Sequence, residues 1–287
     1  MKPAPFEYYA PVEVGEAINL LAAAGPEAKV LAGGQSLVPL MNLRLAKPTA
    51  LIDLNRVGDL RGVDAEDGWV TVGAMTRHRE VAESPILRKH CPLVSDAASQ
   101  IGYPAIRNRG TLGGTLAHAD PASEMPAVAV TLQAELVLRG PRGERRIAAA
   151  DFFISHFTTA LEPDEILTEI RFPTSPPGSG WDFQEFSRKV GDFAVVAVAV
   201  HIVVAGGSAV KLRVGMAGVG ERPVEVPTDS FESRLAGPQL NTEVAEAAAE
   251  AVSAPSDIHG GLHFRQKLAR VLTQRAMERA SRRAEEA

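Results

Sequence analysis

Two glycine doublets stand in matching settings far apart in the sequence. The first is Ala32-Gly33-Gly34-Gln35-Ser36, directly after the apolar Lys29-Val30-Leu31 run. The second is Thr111-Leu112-Gly113-Gly114-Thr115, followed by Leu116-Ala117-His118-Ala119-Asp120-Pro121. Glycine admits positive φ and lets a ligand come close to backbone N–H groups. Successive N–H groups at such turns form anion-binding concavities, so the pair could grip the two phosphates of one dinucleotide. Gln35, Ser36, Thr111 and Thr115 add donors and acceptors. Neither segment is a G-x-G-x-x-G fingerprint or a P-loop, and a single Gly-Gly is most often only a turn.

Other polar residues lie close to the second doublet. Arg107 and Arg109 precede it and suit either phosphate pairing or surface ion pairs. His118, Asp120 and Glu124 resemble an acid–base or metal cluster, but their spacing fits no zinc signature. Carboxylates accepting from sugar hydroxyls are the better reading. Gly191-Asp192-Phe193-Ala194 reads as a turn whose Phe193 packs into the core, and Asp257 to Gly261 as a loop leading into a helix. No Gly-x-Ser-x-Gly elbow occurs, so acyl transfer has no support.

The elements that must position these residues follow from periodicity. Val14, Ala17, Ile18 and Leu21 recur at helical spacing within a helix over 12–24, stopped by Gly25-Pro26. Residues 29–31 and 50–54 read as short buried strands, and 69–74 as an alternating strand. Helices are expected over 78–83 and 93–101. Residues 128–138, with Ile147, read as a helix or a strand pair turning at 140–143, and 165–172 as a closing strand. Residues 173–180, rich in proline and glycine, form the clearest linker. Beyond it, the valine-rich run 194–204 and its partner 209–216 predict a hairpin turning at 205–208. The alanine-rich tail from Asn241 predicts two helices.

At 287 residues the chain has room for two domains, each of about 100–200 residues. A formal net charge of −5 and few aromatics argue against nucleic acid as the main partner. No apolar run approaches the roughly 20 residues of a membrane span, and the N-terminus lacks a signal-peptide core. Cys91 is the only cysteine. An internal disulfide is therefore impossible, and the chain cannot hold a four-cysteine iron–sulfur cluster alone. A buried structural thiol and a cytoplasmic setting are expected.

Five stretches together resemble a known family. They are Leu31 to Leu37, Arg107 to Gly114 with Ala117 to Glu124, and, nearer the C-terminus, Ser187 to Ala194 with Ser256 to Gly260. Their combination and order are similar to the FAD-binding medium subunits of molybdenum hydroxylases, of the carbon monoxide dehydrogenase and xanthine dehydrogenase kind. The resemblance covers nearly the whole chain. It implies an α+β fold: a two-lobed PCMH-type FAD-binding domain over 1–173 (lobes 1–55 and 56–173), then a small α/β C-terminal domain with sheet and helices over 181–287. It further implies FAD as cofactor, held by Ala32, Gly33, Gly34, Gln35, Ser36, Thr111, Leu112, Gly113, Gly114 and Thr115. Lys29 would lie at the edge, Asp120 and Glu124 near the ribityl and flavin region, and Leu167 and Lys189 in bordering segments. No residue of this chain is expected to be catalytic toward the primary substrate or to bind metal.

The implied role is electron transfer from 2Fe–2S clusters of a small partner subunit to an external acceptor. A large molybdopterin subunit would complete a heterotrimer, present as a dimer of heterotrimers. Two alternatives are a non-catalytic assembly scaffold with a decayed nucleotide site and a stand-alone FAD oxidase. The chain departs from the pattern at Phe193, where tyrosine is common, so any hydrogen bond from that phenol is absent. It also lacks the cluster-binding insertion of the 4-hydroxybenzoyl-CoA reductase branch.

Overall fold

The computed structural model describes residues 2–253 and 257–287; Ser256 of the C-terminal motif lies outside the described residues. A three-stranded parallel sheet opens the chain, with Ala50–Asp53 between Glu7–Tyr9 and Lys29–Leu31. Helix Val14–Ala24 covers it, burying Val14, Ala17, Ile18 and Leu21 at the spacing read from the sequence. These residues join Ile52, Leu54, Leu60 and Met75 in a first core.

A five-stranded antiparallel sheet follows. Its order is Val63–Glu66, Trp69–Gly73, Ile166–Pro173, Glu135–Gly140, Gly143–Ala148. The late strand Ile166–Pro173 closes it by entering the middle, which brings Thr168 O to Ala74 N at 2.9 Å. Residues 128–138 divide between helix Glu124–Thr131 and strand Glu135–Gly140. The break falls at Gln133, whose φ of 54° ends the helix.

The third sheet is antiparallel, in the order Ser179–Phe186, Val196–Ala205, Ser208–Ala217, Val224–Glu225. Its central strand is buried on both faces, which explains the nearly unbroken apolar run. Val196, Val198, Val200 and Ile202 face helices Pro238–Glu250 and Leu262–Glu286. Ala197 and Ala199 turn the other way into the core of the five-stranded sheet and its helices. Small residues on that face let helix Glu124–Thr131 approach closely. A Cβ on Gly215 would lie 2.7 Å from Ala127 O.

Two expectations are corrected. The linker is shorter than its composition suggests, because Ser179 and Gly180 already belong to a strand. Gly180 is required there by packing rather than by a turn: a Cβ would collide with Ala280 O of the long C-terminal helix. Phe193 is 54% exposed instead of packing into the core. Its segment is a turn, with Asp192 N donating to Lys189 O at 3.1 Å. Cys91 is fully buried, and burial pushes its thiol up to about 12, so it is inert at neutral pH.

Candidate functional site

Strand Lys29–Leu31 ends at the first glycine doublet, at the C-terminal edge of the parallel sheet, where open α/β sheets bind ligands. A cavity of about 360 Å³ opens there, lined by Ala32, Gly33, Gly34, Gln35, Asp53, Asn55 and Arg109 among others. Gly34 has φ +71° and turns the chain into helix Leu37–Asn42. The backbone N–H groups of Gly33, Gly34, Gln35 and Ser36 donate to no partner among the described residues. Gln35 Nε2 donates to Gly33 O at 3.1 Å, which braces the turn from within.

The second doublet is built differently from the open loop that its sequence suggests. Gly113 and Gly114 lie in the first turn of helix Leu112–His118, N-capped by Thr111. Their N–H groups are already used, Gly113 N toward Ala74 O at 2.9 Å and Gly114 N toward Thr111 Oγ1 at 3.1 Å. These glycines therefore act by absence of bulk. A Cβ on Gly113 would lie 2.5 Å from Ala74 Cβ, and one on Gly114 would lie 2.7 Å from Thr111 Oγ1 and 3.3 Å from Ala32 Cβ. The last contact shows that the two segments meet. Gly33 meets the stretch before the second doublet, since a Cβ there would collide with Arg109 O and lie 2.8 Å from Gly110 Cα.

Several side chains that the sequence reading did not single out hold this junction. Asn55 Nδ2 donates to Ala32 O at 2.9 Å and also to Asp53 Oδ1. Arg77 donates through one nitrogen to Asn55 Oδ1 and through the other to Arg109 O. His78 is buried, with Nε2 2.7 Å from Thr115 Oγ1. Burial, then the charges of Arg107 and Arg77, push it down to about 4, so it is neutral at pH 7. The available signal was positional: Asp53 ends a buried strand and Asn55 follows it, at the ligand-binding edge.

The remaining expected residues are dispersed. Ser36 occupies the N-cap position of the helix after the first doublet without a side-chain capping bond, and Leu112 is fully buried beneath the second. Lys29 is exposed at the far end of its strand and does not line the cavity. Leu167 is 5% exposed within the core of the five-stranded sheet. Lys189 is exposed in the turn before Phe193. Arg107 is used structurally, donating to Ile101 O at 2.8 Å and Gly102 O at 2.9 Å.

Asp120 and Glu124 lie past the C-terminal end of helix Leu112–His118, away from the cavity lining. Asp120 Oδ1 accepts from Ala122 N at 2.9 Å. Glu124 is 5% exposed, and burial raises its carboxyl to about 7. Its own backbone N–H opposes that shift, while the charges of Glu185 and Asp120 add to it. Among the described residues no group of three or more His, Cys, Asp or Glu could hold a metal ion.

The comparisons with known proteins agree along the chain. Residues 4–175 match the family described as the FAD binding domain in molybdopterin dehydrogenase. Residues 181–280 match the CO dehydrogenase flavoprotein C-terminal domain. The chain is 39% identical over 284 residues to the carbon monoxide dehydrogenase medium chain of Hydrogenophaga pseudoflava, covering 98% of both. It is 38% identical to the nicotine 6-hydroxylase medium subunit of Paenarthrobacter nicotinovorans, covering 99% of this chain and 100% of that one. Its fold superposes with a TM-score of 0.96 on a chain of the solved Hydrogenophaga pseudoflava carbon monoxide dehydrogenase, at 37% identity and 99% coverage of both chains.

Proposed function

Because the chain belongs to the family of FAD-binding medium subunits of molybdenum hydroxylases, we infer that its two glycine segments hold the pyrophosphate of FAD. It is an oxidoreductase subunit whose cofactor is FAD and whose role is electron transfer. FAD, when bound, accepts electrons singly and releases them in pairs, which suits it to stand between one-electron centres and a two-electron acceptor. The protein supplies binding, orientation and charge.

The observation that carries the assignment is the run of unpartnered N–H groups from Gly33 to Ser36, beside a cavity that Gly33, Gly34, Gln35 and Arg109 line. An anion there gains directed donors without any need for a basic protein. The missing side chains at Gly33 and Gly114 let the two segments pack directly against each other beside that cavity. We assign Ala32 to Ser36 and Thr111 to Thr115 to the pyrophosphate region, with Lys29 at the start of the strand that leads into it. Asp120 and Glu124 are assigned to the ribityl and flavin region, and Leu167 and Lys189 to segments behind and beside it. The FAD-binding domain is taken as 1–173, with lobes 1–55 and 56–173, and the C-terminal domain as 181–287.

The relatives are named as medium chains and subunits. We propose that this chain likewise assembles with a small 2Fe–2S subunit and a large molybdopterin subunit, as a dimer of heterotrimers in the cytoplasm. Electrons would reach FAD from the clusters and leave to an external acceptor. No helix among the described residues is long and apolar enough to cross a membrane. Metal analysis of the complex purified through this chain tests the assignment. Iron and molybdenum should co-purify with FAD; FAD without either metal would favour a stand-alone flavoprotein, and neither flavin nor metal a scaffold.

A further inference from the structure

Asp53, Asn55 and Arg77 form a continuous hydrogen-bonded bridge between the two glycine segments. Asp53 Oδ1 accepts from Asn55 N at 2.8 Å and from Asn55 Nδ2, and its Oδ2 accepts from Tyr8 OH. The Asn55 amide is thereby fixed in one orientation. Its Nδ2 also donates to Ala32 O at 2.9 Å, at the head of the first segment. Its Oδ1 accepts from Arg77, whose other nitrogen donates to Arg109 O, ahead of the second segment. Arg61 Nη2 adds a bond to Asn55 O at 2.9 Å.

The fork of one guanidinium thus spans from one segment's brace to the other segment's backbone. A planar, two-pronged donor can do this; a lysine ammonium reaches one of the two acceptors at a time. The bridge sits where there is little tolerance, because Gly33 packs against Arg109 O and Gly110 Cα with no space for a methyl group. Arg77 is only partly exposed, and its guanidinium is held below its ordinary range by burial and by the neighbouring charges of Arg61 and Arg109. The guanidinium groups of Arg61 and Arg109 therefore lie near that of Arg77.

We propose that the Asp53–Asn55–Arg77 bridge is the positioning device of the cofactor site. It holds the first segment and the Arg109 backbone in fixed register beside the cavity. Asp53 and Asn55 line the cavity themselves, whereas Arg77 lies outside its lining and acts only through Asn55 and the Arg109 carbonyl. The proposal rests on the assignment of the cavity to the FAD pyrophosphate.

The test is titration of the flavin-stripped full chain with FAD, followed by flavin fluorescence, alongside melting of each apo chain. Asn55→Ala and Arg77→Gln should each weaken FAD binding by about tenfold or more, as expected for loss of a charge-assisted bond. The double variant should be no weaker than the weaker single one, because one bridge is cut twice. Arg77→Lys should melt like the unaltered chain yet bind FAD at least about fivefold more weakly. That split is the decisive readout, since a merely structural arginine would move melting and affinity together. Wild-type affinity in Arg77→Lys, or additive losses in the double variant, would overturn the bridge. Should Asn55→Ala fail to fold, Arg77→Lys alone decides. An unaltered chain without affinity for FAD would instead overturn the underlying assignment, a result distinct from variants that bind normally.

Discussion

Gly33 illustrates how one missing side chain can define a site. Its φ is not in the left-handed region, so turn geometry does not demand glycine there; the neighbour does, because any Cβ meets the Arg109 carbonyl. Gly33→Ala should therefore force the two segments apart and weaken FAD binding by about tenfold or more, read by titration of the apo chain. Gly114→Val should act likewise, since its Cβ would lie 2.7 Å from the Thr111 cap oxygen, and the purified variant should lose its flavin. Glu124 makes a prediction of opposite character. Its carboxyl keeps its proton up to about 7 in the folded chain, against 4.5 when unfolded. The folded state thus holds an extra proton between those values. The resulting stability is full below about 4.5 and is lost as pH rises through about 7. Glu124→Gln should match the unaltered chain near pH 5 and exceed it near pH 8 by up to about 3 kcal/mol, measured by urea unfolding.

At the scale of elements, the positions of glycines and alanines decide which surfaces can meet. Gly180 lets the strand Ser179–Phe186 lie against helix Leu262–Glu286 at backbone distance. Gly180→Val should cost about 3 kcal/mol or more and lower the melting temperature of the full chain by about 6 °C or more. Much of this layer was legible in the sequence. The helix over Val14–Ala24, the strand Lys29–Leu31 and the hairpin turning at Gly206-Gly207 follow from period and turn chemistry alone. What the sequence hid was non-local. Phe193 looks like a core residue because aromatic residues usually are, but its exposure depends on a turn that lifts it off the sheet. Ser179 and Gly180 look like linker, and only the helix from the other end of the chain explains them. In the site, the small residues were visible, whereas the Asn55 and Arg77 bridge joins positions separated by 22 residues and left no local pattern.

Across the whole molecule, three cores are arranged so that the parallel sheet, the antiparallel sheet and the C-terminal sheet support one another. The Val-Ala alternation of strand Val196–Ala205 is the seam, with valines toward the two C-terminal helices and alanines toward the five-stranded sheet. The site lies at the edge of the first sheet, where strand Ala50–Asp53, the chain before helix His78–Glu83 and the N-terminus of helix Leu112–His118 converge. Such convergence suits a cofactor that must be held still between partners, since electron transfer rewards fixed orientation. The absorbance spectrum of the purified full chain, with its released chromophore identified and counted, tests this account most directly. Flavin bands and about one FAD per chain are predicted, either as purified or after added FAD is taken up. A colourless chain that also takes up no added FAD would contradict it.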